Sequence, residues 1–310
     1  MSEHHHEHHH HEHHHHHHHH VGAMLSSQAS LFYFCIALNL LFVGIEAFIG
    51  WTQNSLSLLS DAGHNLSDVF SLILVLVAFY LAKVKSGMHY TYGLKKSTIL
   101  ISLVNALLLL VAVGGIVVES IHKFSEPVDV NGVAVSWTAG AGILINGLTA
   151  VLLMRGQKSD LNVRGAFLHM VADTLVSVGV VVSGLIITWT GWNIVDPIVS
   201  LIIAFVILIT TWELLTASLR LIVDGTPEGV EIADIQHQME KVSHVTEVHH
   251  LHVWALSTTD NALTAHVVID QLEYMEGAKT DLKQLLSEKG IGHSTLEFET
   301  PQCHCSEHRC

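Results

Sequence analysis

The sequence predicts an α-helical membrane protein of six transmembrane helices followed by a small cytoplasmic α+β domain. Three observations carry this. The 310 residues are 49% hydrophobic and only 14% charged, more apolar than is usual for a soluble chain of this size. Six apolar stretches each approach the ~20 residues a helix needs to cross a bilayer. From Asp224 onward the long apolar runs stop and fifteen acidic residues face five basic ones, about −10 of the formal −14.

The elements follow in order. Residues 1–28 form a His-rich arm whose first twenty positions are nearly all His, broken by Glu3, Glu7 and Glu12. Such a tract cannot build a packed core and is expected to be disordered. It has neither the basic start nor the apolar centre of a secretory signal. Its His-Glu-x-x-His matches, at His6–His10 and His11–His15, are accidents of composition.

The membrane domain, 29–220, contains spans expected near 29–50, 56–82, 97–121, 133–154, 162–189 and 194–216. Lys83, Lys85, Lys95 and Lys96 follow the second span, and Arg155, Lys158 and Arg164 follow the fourth. The opposite side offers only Lys123, so the positive-inside bias places both termini in the cytoplasm. Trp51 and Trp192 read as interfacial anchors. Asn39, Asn105 and Asn146 are expected to hydrogen-bond between helices. Glu46 and Glu213 read as interfacial or packing residues.

In the α+β domain, 221–300, the run Asp224-Gly225-Thr226-Pro227-Glu228 looks like a helix start, with Thr226 as cap and Pro227 at the first helical position. A helix near 228–242, strands near 246–255 and 262–270, a helix near 276–289 and a strand near 293–299 complete an αββαβ order. That order is close to a ferredoxin-like, split βαβ sandwich. A tail, 301–310, holds Cys303, Cys305 and Cys310. Four cysteines in this length do not make a disulfide scaffold; the crowded three point to reduced thiols or a metal clip.

The chemistry lies in a repeated step. His64 with Asp68, and His169 with Asp173, place one imidazole and one carboxylate on the same face of two spans. An Asp at the centre of a bilayer costs roughly 2.5–3.5 kcal/mol on insertion scales, so its repetition marks a functional site. Facing each other, the two pairs make a cage of two nitrogens and two oxygens, which suits tetrahedral zinc. Asp61, His64, Asn65 and Asp68 form one polar stripe, so Asp61 and Asn65 are candidates to line the path or tune the ligands. Two imidazoles favour Zn²⁺ over oxygen-preferring Mn²⁺ or Mg²⁺, with Cd²⁺, Co²⁺ or Ni²⁺ as alternative cargo.

The run Ser60 to Asp68 resembles the second-helix signature of the cation diffusion facilitator family, and His169-Met170-Val171-Ala172-Asp173 resembles its fifth-helix partner. Asp196-Pro197-Ile198 and Val248-His249-His250-Leu251-His252-Val253-Trp254 are similar to further family segments. The resemblance covers nearly all of the chain after the His tract and lies nearest the bacterial zinc-exporting branch. It implies a homodimeric zinc/proton antiporter in the bacterial cytoplasmic (inner) membrane. It also implies regulatory zinc held in the cytoplasmic domain by His249, His266, His293 and Glu299, with Cys303 and Cys305 as nearby soft ligands. His250 and His252 are ambiguous, because neighbouring strand positions alternate faces. His89 matches a loop position where some relatives hold peripheral metal. Relatives with Asp in place of the first His carry a wider range of ions, which makes His64 the selectivity residue.

Other classes fit less well. A membrane zinc hydrolase needs an open coordination position and a general base, whereas four ligands close this cage. A membrane-anchored metal sensor would leave the intramembrane stripe without a task. An acidic soluble domain is a poor partner for nucleic acid or anionic lipid.

Overall fold

The computed structural model describes residues 18–52, 56–125, 132–192 and 194–302. Most of the His-rich arm, and the tail with Cys303, Cys305 and Cys310, lie outside the described residues. Six long helices come first: α1 (His18–Thr52), α2 (Leu56–Ala82), α3 (Ser97–Ser125), α4 (Gly132–Leu153), α5 (Leu161–Thr190) and α6 (Val195–Ile222). Among the described residues, four contain stretches long and apolar enough to cross a membrane: Ala29–Ile49, Ser97–His122, Leu161–Ser183 and Pro197–Ile222. α2 and α4 contribute shorter apolar stretches, Asp68–Ala82 and Gly140–Leu153. Pro197 is tolerated because it lies in the first turn of α6, where backbone N–H groups lack helical partners.

One core joins α1, α2, α4 and α5 through Phe32, Leu72, Phe79, Leu153 and Met170. Phe32 and Phe79 meet edge to face at 5.4 Å, a geometry worth about 0.5–1.5 kcal/mol beyond area burial. A second core packs α3 against α6 through Ala106, Leu109 and Leu214. Val113, Ala172 and Ile207 join α3, α5 and α6. The outer faces carry exposed Phe34, Leu41, Phe48, Phe205 and Trp212, an apolar surface that suits lipid. Trp51 and Trp192 are exposed too.

Polar groups join the helices selectively. Ser102 and Ser218 hydrogen-bond at 2.9 Å between α3 and α6. Asn39 donates to the Cys35 carbonyl and, across to α4, to Thr149 Oγ1 at 3.2 Å. The expectation fails for Asn105, which packs against Gly165 and makes no side-chain hydrogen bond among the described residues. Its neighbour there is a glycine, which offers no polar side chain.

The connections explain how the bundle meets the soluble domain. In the α2–α3 loop, Gly93 has φ +70, and a Cβ there would lie 2.3 Å from the Val84 carbonyl oxygen. Gly93→Ala is therefore expected to destabilise the chain by about 1–3 kcal/mol, read as a lower thermal midpoint. α6 ends with Asp224 at φ 59 and the Gly225 N–H on the Arg220 carbonyl at 2.8 Å, the six-to-one bond of a Schellman closure. Asp224 also pairs with Lys96 at the start of α3.

The soluble domain runs α7 (Ile232–Met239), β1 (Val245–Ala255), β2 (Asn261–Ile269), α8 (Met275–Glu288) and β3 (Ile291–Glu299). The sheet order is β1-β2-β3, antiparallel between the first pair and parallel between the second, with α8 as the crossover. Ile235 and Met239 of α7 and Leu282 and Leu286 of α8 cover one face, packing on Leu263, Ala265, Val267 and Ile269. The expected helix start at Pro227 is corrected. Gly229 takes φ +81 and Val230 N–H closes a turn on Pro227, so α7 begins only at Ile232.

The β1–β2 turn rests on the bundle. Thr258 N–H donates to Thr98 Oγ1 at 3.1 Å, Asn162 Nδ2 to Thr258 Oγ1 at 3.3 Å, and Lys95 pairs with Asp260 at 2.8 Å. Asp160 caps α5 by accepting the Asn162 N–H at 2.7 Å. Burial pushes the Asp160 carboxyl above its ordinary value, against the pull of that N–H and Thr258. The folded state therefore binds this proton more tightly than the unfolded state. Stability from this group falls as pH rises from the ordinary carboxylate range through its raised folded value. Asp160→Asn is expected to flatten that slope in a pH series of thermal midpoints.

Candidate functional site

α2 and α5 touch, and their contact holds the site. Asp68, His169 and Asp173 offer ligand atoms that all lie within 4.8 Å of one another. His169 Nε2 lies 2.8 Å from Asp68 Oδ1 across the helix pair and 3.8 Å from Asp173 Oδ2 one turn along α5. His169 is eight residues into α5, about 12 Å along its axis at helical rise. The three side chains are 1%, 9% and 13% exposed in the order Asp68, His169, Asp173. Two nearly dry carboxylates repel each other unless a cation or protons sit between them.

Helical geometry explains the convergence. Residues four apart on α5 stack on one face, so His169 and Asp173 point together, and Met170 and Ala166 on the adjoining face lock α5 into the core. On α2, Val69 and Leu72 bury beside Asp68, fixing the carboxylate toward α5. α2 carries His64 one turn before Asp68, but the side chains of His64 and Asp61 lie outside the described residues. Asn65 is buried and donates through Nδ2 to Glu46 Oε2 of α1 at 2.8 Å. Glu46 is itself buried, so it is not an interfacial residue; it orients the stripe next to the site. Its sequence signal was an acidic residue inside an apolar span. Glu213, by contrast, is mostly exposed and pairs with Arg164 at 2.8 Å.

A second constellation lies on the sheet face opposite α7 and α8. His249 of β1 sits directly across from His266 of β2, and Glu299 ends β3. Their candidate ligand atoms also lie within 4.8 Å of one another. His266 Nδ1 is 2.6 Å from Glu299 Oε1, and His249 Nε2 is 3.5 Å from Glu299 Oε2. Two imidazoles and a largely buried carboxylate are a donor set that zinc accepts. The pairing of β1 with β2 shifts between His249 and His252, and His250 takes φ 48. This bulge brings the His250 ring to 5.2 Å from that of His249 and 5.0 Å from that of His266. His252 stays on the strand opposite Thr264.

Among the described residues, two candidates, His293 and His89, are not brought together with these. His293 is exposed at the far end of β3, its ring edge-on to Tyr92 at 5.4 Å. His89 lies exposed in the α2–α3 loop and joins no ligand group among the described residues.

Comparison with known proteins places these sites in context. The family model for the cation efflux transmembrane domain matches residues 32–223. The model for the cation efflux protein cytoplasmic domain matches residues 227–295. A Bacillus subtilis cadmium, cobalt and zinc/H(+)-K(+) antiporter is 36% identical over 261 residues, covering 83% of this chain and 84% of the relative. The metal cation efflux system protein CzcD of Cupriavidus metallidurans is 36% identical over 270 residues, 86% of this chain and 85% of its own length. The zinc transporter ZitB of Escherichia coli is 34% identical over 275 residues, 85% of each.

Proposed function

We propose, from the fact that this chain belongs to the cation efflux family of membrane transporters, that it exports Zn²⁺ from the cytoplasm in exchange for protons. The observation that carries this reading is the buried convergence of Asp68, His169 and Asp173 between α2 and α5. His64, one turn before Asp68, supplies the fourth ligand. On this reading α1 to α6 all cross the bacterial inner membrane with both termini in the cytoplasm. The αββαβ unit is then a ferredoxin-like cytoplasmic domain through which two copies associate.

The chemistry follows from charge. Two aspartates contribute −2, and neutral imidazoles contribute nothing, so bound Zn²⁺ leaves the cage neutral. Two protons on the histidines leave it neutral again once the metal departs. Metal and protons compete for the same ligands. The site therefore alternates between two loads without stranding a bare charge in the bilayer. Cd²⁺ and Co²⁺, named among the cargo of the Bacillus relative, are accepted by the same donors, and Ni²⁺ suits them as well.

In the cytoplasmic domain, His249, His266 and Glu299 hold regulatory zinc, and His250 stands beside them. A metal there neutralises part of an acidic domain and eases the approach of a second copy. Asp61 and Asn65 line the path beside the transport site, and Cys303 and Cys305 are soft ligands near the cytoplasmic one; His293 and His89 stand apart from both.

Zinc uptake into proteoliposomes tests the transport reading. Uptake by the wild type, and none by Asp68→Ala, is the expected result. Zinc bound to the wild type without entry under any gradient would instead favour a membrane-anchored sensor.

A further inference from the structure

A cavity of about 260 Å³ lies where the bundle meets the soluble domain. Its walls come from the α4–α5 loop, the end of α6, the segment after it and the β1–β2 turn. Three cationic side chains line it, Lys158, Arg164 and Arg220, with two carboxylates, Asp160 and Glu228. Both carboxylates have partners on the cavity wall. Asp160 caps α5 and bonds Thr258, while Glu228 lies 3.9 Å from Arg164, which also holds Glu213. Lys158 and Arg220 are exposed and make no ion pair among the described residues. The Gly225 N–H on the Arg220 carbonyl fixes the backbone from which that guanidinium projects; a Cβ at Gly225 would lie 2.8 Å from the same oxygen.

We infer that this cavity binds a phosphate-bearing anion between Lys158 and Arg220, bridging the α4–α5 loop and the end of α6 beside the β1–β2 turn. A planar guanidinium and a mobile ammonium on separate segments match the oxygens of one phosphate group. The cavity adjoins the ends of α5 and α6, where anionic lipid headgroups concentrate around basic side chains. A free phosphate ester has the same chemistry and reaches the same opening. Either ligand would tie the loop that leads into α5, which carries His169 and Asp173, to the end of α6.

The test uses the full chain purified in detergent. Native mass spectrometry measures retained phosphatidylglycerol, and thermal midpoints are read with and without inorganic phosphate. Three proteins are compared: wild type, Lys158→Ala/Arg220→Ala, and Lys83→Ala/Lys85→Ala, which removes the same charge from the α2–α3 loop. Each basic contact is worth about a fivefold factor, so the cavity variant should bind about 30-fold more weakly than the other two. Lipid lost only from the cavity variant supports a headgroup ligand. Protection by phosphate lost only from that variant supports a free one. Equal behaviour of all three proteins, or equal loss in both variants, overturns the inference. Zinc binding to each protein confirms that the variants are folded.

Discussion

Asp68→Ala is expected to abolish zinc transport and to weaken intramembrane zinc binding by more than about 100-fold. Changes in the groups that merely support a metal ligand typically cost 10–100-fold, and Asp68 is assigned as a ligand itself. The substitution also strands its partner, because His169 Nε2 sits 2.8 Å from Asp68 Oδ1 in a nearly dry setting. One carboxylate, Asp173, would remain, and a divalent ion in the cage would then carry uncompensated charge into the bilayer. Calorimetric zinc titration of the detergent-purified protein checks the binding, and vesicle uptake checks the transport. Asp68→Asn separates charge from shape. It keeps the size and one oxygen, so survival of transport in Asn but not Ala would deny the charge argument.

His64→Asp is expected to change what is carried more than whether anything is carried. It exchanges a borderline nitrogen for a hard oxygen, making a donor set of one imidazole and three carboxylates. The harder set accepts Mn²⁺ more readily relative to Zn²⁺, and the second oxygen of the new carboxylate offers the larger Cd²⁺ an extra ligand. The ratio of manganese or cadmium flux to zinc flux should rise by about tenfold or more, the scale on which ligand changes alter affinity. Charge balance changes as well, since three carboxylates leave a zinc-loaded cage at −1. Zinc flux in this variant should therefore fall and depend more steeply on pH. Unchanged flux ratios would remove His64 from selectivity.

Much of this architecture is readable from the chain because apolar periodicity and charge bias act over tens of residues. The helices of the membrane domain begin and end within a few residues of the apolar runs, except α1, which starts at His18, and α6, which continues to Ile222. That His169 and Asp173 share one face of α5 is readable too, because helical pitch fixes which side chains of a helix lie together; their meeting with Asp68 of α2 is seen in the structure. Features set by single backbone torsions are not. Gly229 at φ +81 delays α7, although Thr226-Pro227 has the composition of a helix start. His250 at φ 48 defeats strand alternation and turns its ring toward His249 and His266. Glu46 reads as an interfacial or packing residue, and only the structure shows that it packs against Asn65, since no local pattern reveals which helix a lone carboxylate meets. The docking of the β1–β2 turn on Thr98 and Asn162 joins residues about 100 or more positions apart, beyond any periodic signal.

The central claim is that one buried cage exchanges zinc for protons. Its most direct test is the interior pH of proteoliposomes, reported by a trapped dye, when zinc is added outside. Wild-type vesicles should turn alkaline inside as zinc enters, and Asp173→Ala vesicles should show neither change. Zinc entry into wild-type vesicles with no change of interior pH would contradict the exchange.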